Sequence, residues 1–241
     1  MLGFKLLPLD DEKENSIYYN NLLIRKNKIE LEKLLNNYEY TFNELFPFRN
    51  CNNKKEKINT YKAYKYILEN KKIDKKTLNE LYTIISEELL DEEEELHGKY
   101  YRDNDVYIFN SRYDFDKAMP KDYIEEKMNK LFEYSNDENS NSKIEEFIKS
   151  QIIHFYFVYI HPYNDMNGRT ARTTSMWYLL NNNINDYILF NRGIIRHKED
   201  YLKAIRTGRH TKDITNYLNF ILKSTILELQ RKELKNKVYY K

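Results

Sequence analysis

The densest chemistry in the chain is one short run, His161-Pro162-Tyr163-Asn164-Asp165-Met166-Asn167-Gly168-Arg169-Thr170-Ala171-Arg172. Pro162 stiffens the exit from whatever precedes it. Asp165, Asn167 and Gly168 suit the start of a helix, where backbone N–H groups lack intrahelical acceptors and point outward. Such an end attracts anions, phosphate above all. Arg169 and Arg172 are three residues apart, so on a helix their guanidinium groups share a face and complete a polyphosphate cradle. Phosphate would repel Asp165 unless a divalent cation lay between them, and Mg²⁺ binds in that way through one or two carboxylates and phosphate oxygens. His161 is the nearby group able to accept a proton near pH 7. Alone, a histidine at a helix end or a pair of arginines is ordinarily structural or solvated; their conjunction points to chemistry.

Two helices must hold this loop. Residues 143–160, SKIEEFIKSQIIHFYFVYI with its leading Ser142, become apolar on nearly every side, which predicts a buried central helix. The run 167–181 predicts the helix that carries the arginines. Further helices are expected at 16–38, 58–70, 75–90 and 121–134, near 196–207 and at 212–236. The segment TFNELFPFRNCNNKKEK, which contains Pro47, reads as a short helix followed by a loop. Residues 98–120 differ: Val106, Tyr107, Ile108 and Phe109 form a β-type run bounded by Asp and Asn, the pattern of a small hairpin. No repeat and no second core are evident, so the fold class expected is all-α, with an N-terminal helical arm at 1–57 and a helical domain at 58–241.

Composition narrows the class. Lys and Arg total 40 against 38 Asp and Glu, a net charge of +2, which does not suit a dedicated nucleic-acid binder. Cys51 is alone, so neither a disulfide framework nor structural zinc is expected. Mean hydropathy is −0.86 and no run of eighteen apolar residues occurs, so no membrane span is expected. The opening MLGFKLLPLDDEKEN does not read as a signal peptide; the expected location is cytoplasmic, with a secreted effector as the alternative. Only 5 Gly and 4 Pro occur, while 23 Tyr supply core in place of Val and Ala. His154, Met176 and Trp177 are expected in the core, His97, His197 and His210 on the surface. The acidic run at 91–95 reads as a solvated helix end and the basic tail as a frayed one.

The 161–172 run resembles the motif of the Fic (filamentation induced by cAMP) domain family, His-x-Phe-x-(Asp/Glu)-Gly-Asn-Gly-Arg-x-x-Arg. His161, Asp165, Asn167, Gly168, Arg169 and Arg172 stand at the family's spacing. Six such fixed positions coincide by chance on the order of once in 10⁷–10⁸ starting points. GKYYRDNDVYI (98–108) is similar to the family's Gly-x-x-Arg-x-x-x-Val-x-Ile at the start of its flap hairpin, and the likeness runs from about 58 to 228. Two positions depart. Tyr163 replaces Phe, adding a hydroxyl that needs a partner. Met166 replaces Gly, and since Ala also occurs there, ordinary right-handed backbone is expected at Met166.

The resemblance implies transfer of AMP from ATP to a Tyr, Thr or Ser hydroxyl of a target protein, or of the protein itself. His161 would be the base, Asp165 the ligand of Mg²⁺ or Mn²⁺, Asn167 and Gly168 part of the anion hole, and Arg169 and Arg172 the contacts to the β- and γ-phosphates. The related Doc-type kinases carry Lys where Gly168 stands, which favours nucleotidyl over phosphoryl transfer. A flap edge at Val106–Phe109 would pair with an extended target, with Ile108 as clamp. The family also offers two alternatives, a hydrolase that removes AMP and a catalytically weak binding module, and a homo-oligomer is compatible with either. Many members carry (Ser/Thr)-x-x-x-Glu-(Gly/Asn), whose Glu pairs with the motif's second Arg. The nearest N-terminal candidate is Glu44 in TFNELF; Glu228, in the expected C-terminal helix, reads as structural.

Overall fold

The computed structural model describes residues 4–6, 16–34, 54–111, 114–137, 142–184 and 189–239. Two strands, β1 (Phe4–Leu6) and β2 (Tyr18–Asn20), pair antiparallel ahead of α1 (Asn21–Leu34). There follow α2 (Lys54–Glu69), α3 (Lys75–Ser86), a second antiparallel pair β3 (Tyr107–Ser111) and β4 (Asp114–Lys117), and α4 (Ile124–Asn136). The chain continues through α5 (Lys143–Ile160), α6 (Asn167–Asn181), α7 (Phe190–Arg196), α8 (Lys198–Thr211) and α9 (Thr215–Tyr239). The fold is all-α with a small β-hairpin, as expected. Among the described residues no helix is long and apolar enough to cross a membrane.

The differences in element bounds have local causes. The first helix begins at Asn21 rather than at residue 16, because Tyr18–Asn20 is drawn into the β1 pair and the Asn20 side chain accepts the N–H groups of Leu22 (3.0 Å) and Leu23 (3.4 Å) as a cap. Neither β1 nor β2 was foreseen. The helix expected near 196–207 is α8, and α7, which was not foreseen, precedes it and meets it at His197 with φ −120° and ψ 48°.

Contacts divide the chain into two compact units. One comprises residues 1–47, 142–148 and 184–241. Its core is apolar residues of α1, α7, α8 and α9, such as Ile24, Phe190, Ile205 and Leu222. A Cβ on Gly193 would lie 2.7 Å from Ser224 Cβ, so α7 can approach α9 this closely only with glycine there. Glu228 is buried and accepts hydrogen bonds from Arg196 (2.8 Å) and Arg231, the structural use expected of it.

The other unit comprises residues 48–141 and 149–183 and contains the 161–172 run. Here α6 is buried on every side from Thr173 to Leu180: Trp177 and Met176 are fully buried, and Trp177 Nε1 donates to Asn70 O (2.6 Å) at the end of α2. Asn181 Nδ2 donates to Lys71 O (2.6 Å) just beyond it. Ser175 donates to Ser150 O (2.8 Å), tying α6 to α5. Asp74 and Thr77 form a reciprocal capping box that starts α3. His154 is fully buried on α5; burial first, and Arg172 second, push its pKa down to about 3. It is therefore neutral near pH 7 and belongs to the core, as expected.

Candidate functional site

Arg102 joins the hairpin to the loop. Its side chain is buried, and each guanidinium nitrogen donates to a backbone carbonyl: Nε to His161 O (2.8 Å), Nη1 to Asn104 O (2.5 Å) and Nη2 to Met119 O (2.5 Å). Its own N–H donates to Pro162 O (3.0 Å). Asn104 and Met119 flank β3 and β4, so one side chain fastens both feet of the hairpin to the start of the loop. Burial pushes its pKa below the usual arginine value, with Asp105 opposing, yet a guanidinium keeps its charge. Only Arg102's place in the GKYYRDNDVYI pattern hinted at this.

The loop itself is left-handed at two points. His161, half-buried, closes α5 by donating its N–H to Phe157 O (2.9 Å) and then turns to φ 56°. Met166, the N-cap of α6, has φ 62° and ψ 7°. This corrects the expectation of ordinary backbone there. The reason is Asn167, which folds back as a bracket: its Oδ1 accepts from Tyr163 N (3.0 Å) and its Nδ2 donates to Tyr163 O (2.8 Å). Met166 O meanwhile accepts from Thr170 N (3.0 Å) and Thr170 Oγ1 (2.9 Å). A loop pinned at both 163 and 170 has to turn left between them. The left-handed conformation costs a non-glycine residue about 1–2 kcal/mol, which the burial of the Met166 side chain offsets.

The cradle residues lie on the first turns of α6. Gly168 lies beside the Arg172 guanidinium: a Cβ there would sit 3.4 Å from Arg172 Nη1, an ordinary contact. Arg169 Nη2 lies 2.5 Å from Glu56 Oε1, a carboxylate of α2 that sequence reasoning passed over because it stands in the lysine-rich run KKEK. Asp165 is exposed at the turn. Among the described residues no group of three or more His, Cys, Asp or Glu could hold a metal ion by itself. A lone exposed carboxylate fits a divalent cation that arrives with phosphates, which supply most of its ligands.

Beneath the loop, Tyr163 is fully buried and stacks on Tyr82, ring centroids 3.7 Å apart, with Tyr101 at 6.3 Å. The hydroxyls of Tyr82, Tyr101 and Tyr163 are buried and make no hydrogen bond among the described residues. Burial raises the pKa of all three.

In the hairpin, Tyr107 pairs with Lys117, Ile108 with Asp116 and Phe109 with Phe115. The alternation puts Tyr107 and Phe115 on one face, where they are 53% and 56% exposed and pack edge to face at 5.2 Å. Ile108 points to the other face and, like Val106, is half-buried. Among the described residues no third strand joins this sheet. Glu44 lies outside the described residues.

Residues 72–179 match the model of the Fic/DOC family. Among solved structures, a Fic family protein from Desulfovibrio desulfuricans G20 aligns with TM-score 0.64 at 18% identity, covering 89% of this chain. This chain spans 65% of that protein's length. Fic-1 from C. elegans aligns with TM-score 0.64 at 15% identity, covering 90% of this chain and 72% of the other. A Fic domain containing signaling protein from Bacteroides thetaiotaomicron VPI-5482 gives TM-score 0.54 at 15% identity, over 87% and 84%. At these identities the likeness is one of fold.

Two outcomes follow from the loop. Met166→Gly relieves the left-handed strain that Met166→Ala keeps, and both lose the same buried side chain but for one methyl. The Gly variant is therefore expected to be more stable than the Ala variant by about 1 kcal/mol, or about 2–4 °C in thermal melts; an Ala variant as stable as Gly would contradict the assignment. Tyr163→Phe removes a buried hydroxyl without a partner and is expected to stabilise by about 1 kcal/mol or more, read from urea unfolding. A lower midpoint would show that the hydroxyl is satisfied after all.

Proposed function

We propose that this chain, whose residues 72–179 match the Fic/DOC family model, is a protein adenylyltransferase, moving AMP from ATP to a hydroxyl of a target protein or of itself. The family is known for AMPylation and related modifications. The observation that carries the finer reading is the start of α6, where Gly168, Arg169 and Arg172 stand on the first turns beside the Asn167 bracket, so that two guanidinium groups and the first N–H groups of the helix gather at one end.

In this reading His161 accepts the proton of the target hydroxyl as its oxygen bonds to the α-phosphorus, and the bond to the bridging oxygen breaks to release pyrophosphate. The N–H groups at the start of α6, beside Asn167 and Gly168, receive the charge that grows on the α-phosphate. Arg169 and Arg172 hold the β- and γ-phosphates, so the leaving group departs already neutralised. Asp165 would hold Mg²⁺ or Mn²⁺, which lowers the charge of the phosphates when bound. The exposed edge of the β3–β4 pair, with Ile108 beside it, offers backbone groups to an extended target segment. A soluble cytoplasmic site of action is part of the same proposal.

The test is incubation with ATP labelled at the α-phosphate and, separately, at the γ-phosphate, with Mg²⁺ or Mn²⁺. Label is expected on protein only from the α-position, to fall about 10²–10⁴-fold in His161→Ala, and to lose its metal-dependent part in Asp165→Ala while circular dichroism shows an intact fold. Label from the γ-position would make the enzyme a kinase. Equal labelling by wild type and His161→Ala would remove His161 as base.

A further inference from the structure

We propose that Glu56 is a positioning residue for the nucleotide site: it holds the Arg169 guanidinium in the orientation that receives the β-phosphate. This rests on the AMP-transfer reading above and concerns a residue outside the 161–172 run.

Glu56 lies in the first turn of α2, and its side chain is 6% exposed, whereas that of Arg169 is 34% exposed. The two meet at 2.5 Å through Glu56 Oε1 and Arg169 Nη2. The asymmetry of exposure sets the order of the layers. The carboxylate forms the wall and the guanidinium faces outward from it, so a phosphate arriving from solvent meets Arg169 before Glu56. A guanidinium has five N–H groups in a rigid plane; one edge can rest on a carboxylate while another stays available for an anion. A lysine could not serve both sides in this way.

The rest of α2 keeps Glu56 in place. Asn59, one turn on and buried, donates through Nδ2 to Glu87 O (2.7 Å) and Ile85 O (3.4 Å) at the end of α3. The end of α2 is fixed by Trp177 and Asn181 of α6, the helix that carries Arg169. Carboxylate and guanidinium thus sit on elements locked to each other, and the Arg169 side chain, with four flexible torsions, is ordered before the nucleotide arrives. Ordering it in advance spares that entropy at the moment of binding.

The opposite role, a carboxylate that occupies the phosphate position and blocks it, requires the acid to stand on the solvent side of the arginine. Its burial argues against that.

The experiment is calorimetric titration of MgADP and of AMP into wild type, Glu56→Gln, Arg169→Ala and the double variant. AMP has no β-phosphate, so it reports folding and the binding of adenosine and α-phosphate. Glu56→Gln is expected to weaken ADP about tenfold while leaving AMP within about twofold. In the Arg169→Ala background it is expected to cost ADP nothing further, since its effect passes through that arginine. Should Glu56→Gln fail to fold, Arg169→Lys serves, with the same selective loss of ADP expected. Unchanged ADP binding, equal losses of ADP and AMP, or additive losses in the double variant would overturn the inference. Tighter ADP binding or stronger self-labelling by Glu56→Gln would make Glu56 a blocking group and overturn it too. A wild type that binds neither ADP nor ATP would instead defeat the AMP-transfer reading, and this inference with it.

Discussion

A buried guanidinium whose three nitrogens each donate to a backbone carbonyl is an expensive thing to build, and the unit that carries the 161–172 run is organised around one. Arg102 contacts His161 O, Asn104 O and Met119 O. Each carbonyl is an end that regular structure leaves open: one follows the last residue of α5, and the other two bracket the β3–β4 pair. Without Arg102 these three carbonyls would lose the donor they share. Its planar fork meets all three at once, which ties the orientation of the hairpin to that of His161.

The loop beyond His161 is pre-set in the same spirit. Two left-handed residues, His161 and Met166, bound a turn that the Asn167 bracket closes. Such strain persists only when the surroundings over-determine it, and here the stacked Tyr82–Tyr163 pair and the Thr170 contacts do so. The result is a fixed mount for His161, Asp165, Arg169 and Arg172, the groups to which the proposed AMP transfer assigns its chemistry. That suits a transfer reaction in which positioning and charge neutralisation supply most of the rate.

Much of this was legible in advance. The bounds of α5 and α6 follow from an all-round apolar run and from the Asn-Gly start of its neighbour, and both helices span the residues expected. His154 reads as core because it stands inside the apolar run, and it is buried and neutral. What was not legible depends on partners distant in sequence. The turn at Met166 comes from an Asn167 side chain that bonds backwards, a choice that residue type alone leaves open. Glu56 looks solvated among lysines; only its spacing to Asn59, one helical turn on, distinguishes it from its neighbours. The β1–β2 pair joins residues separated by a polar stretch, and neither three-residue strand has a period long enough to read.

Arg102 makes hairpin and loop a single mechanical element. Amide hydrogen exchange on wild type and Arg102→Lys, resolved to single residues, tests it most directly, because a lysine keeps the charge and cannot reach three carbonyls. Arg102→Lys is expected to lose protection at Ala118, whose N–H closes the base of the hairpin on Val106 O, and at Tyr163, whose N–H is held by Asn167. Both losses should be of similar size, while α8 and α9 exchange as before. Loss at Ala118 with Tyr163 still protected, or the reverse, would show two independent elements and contradict it.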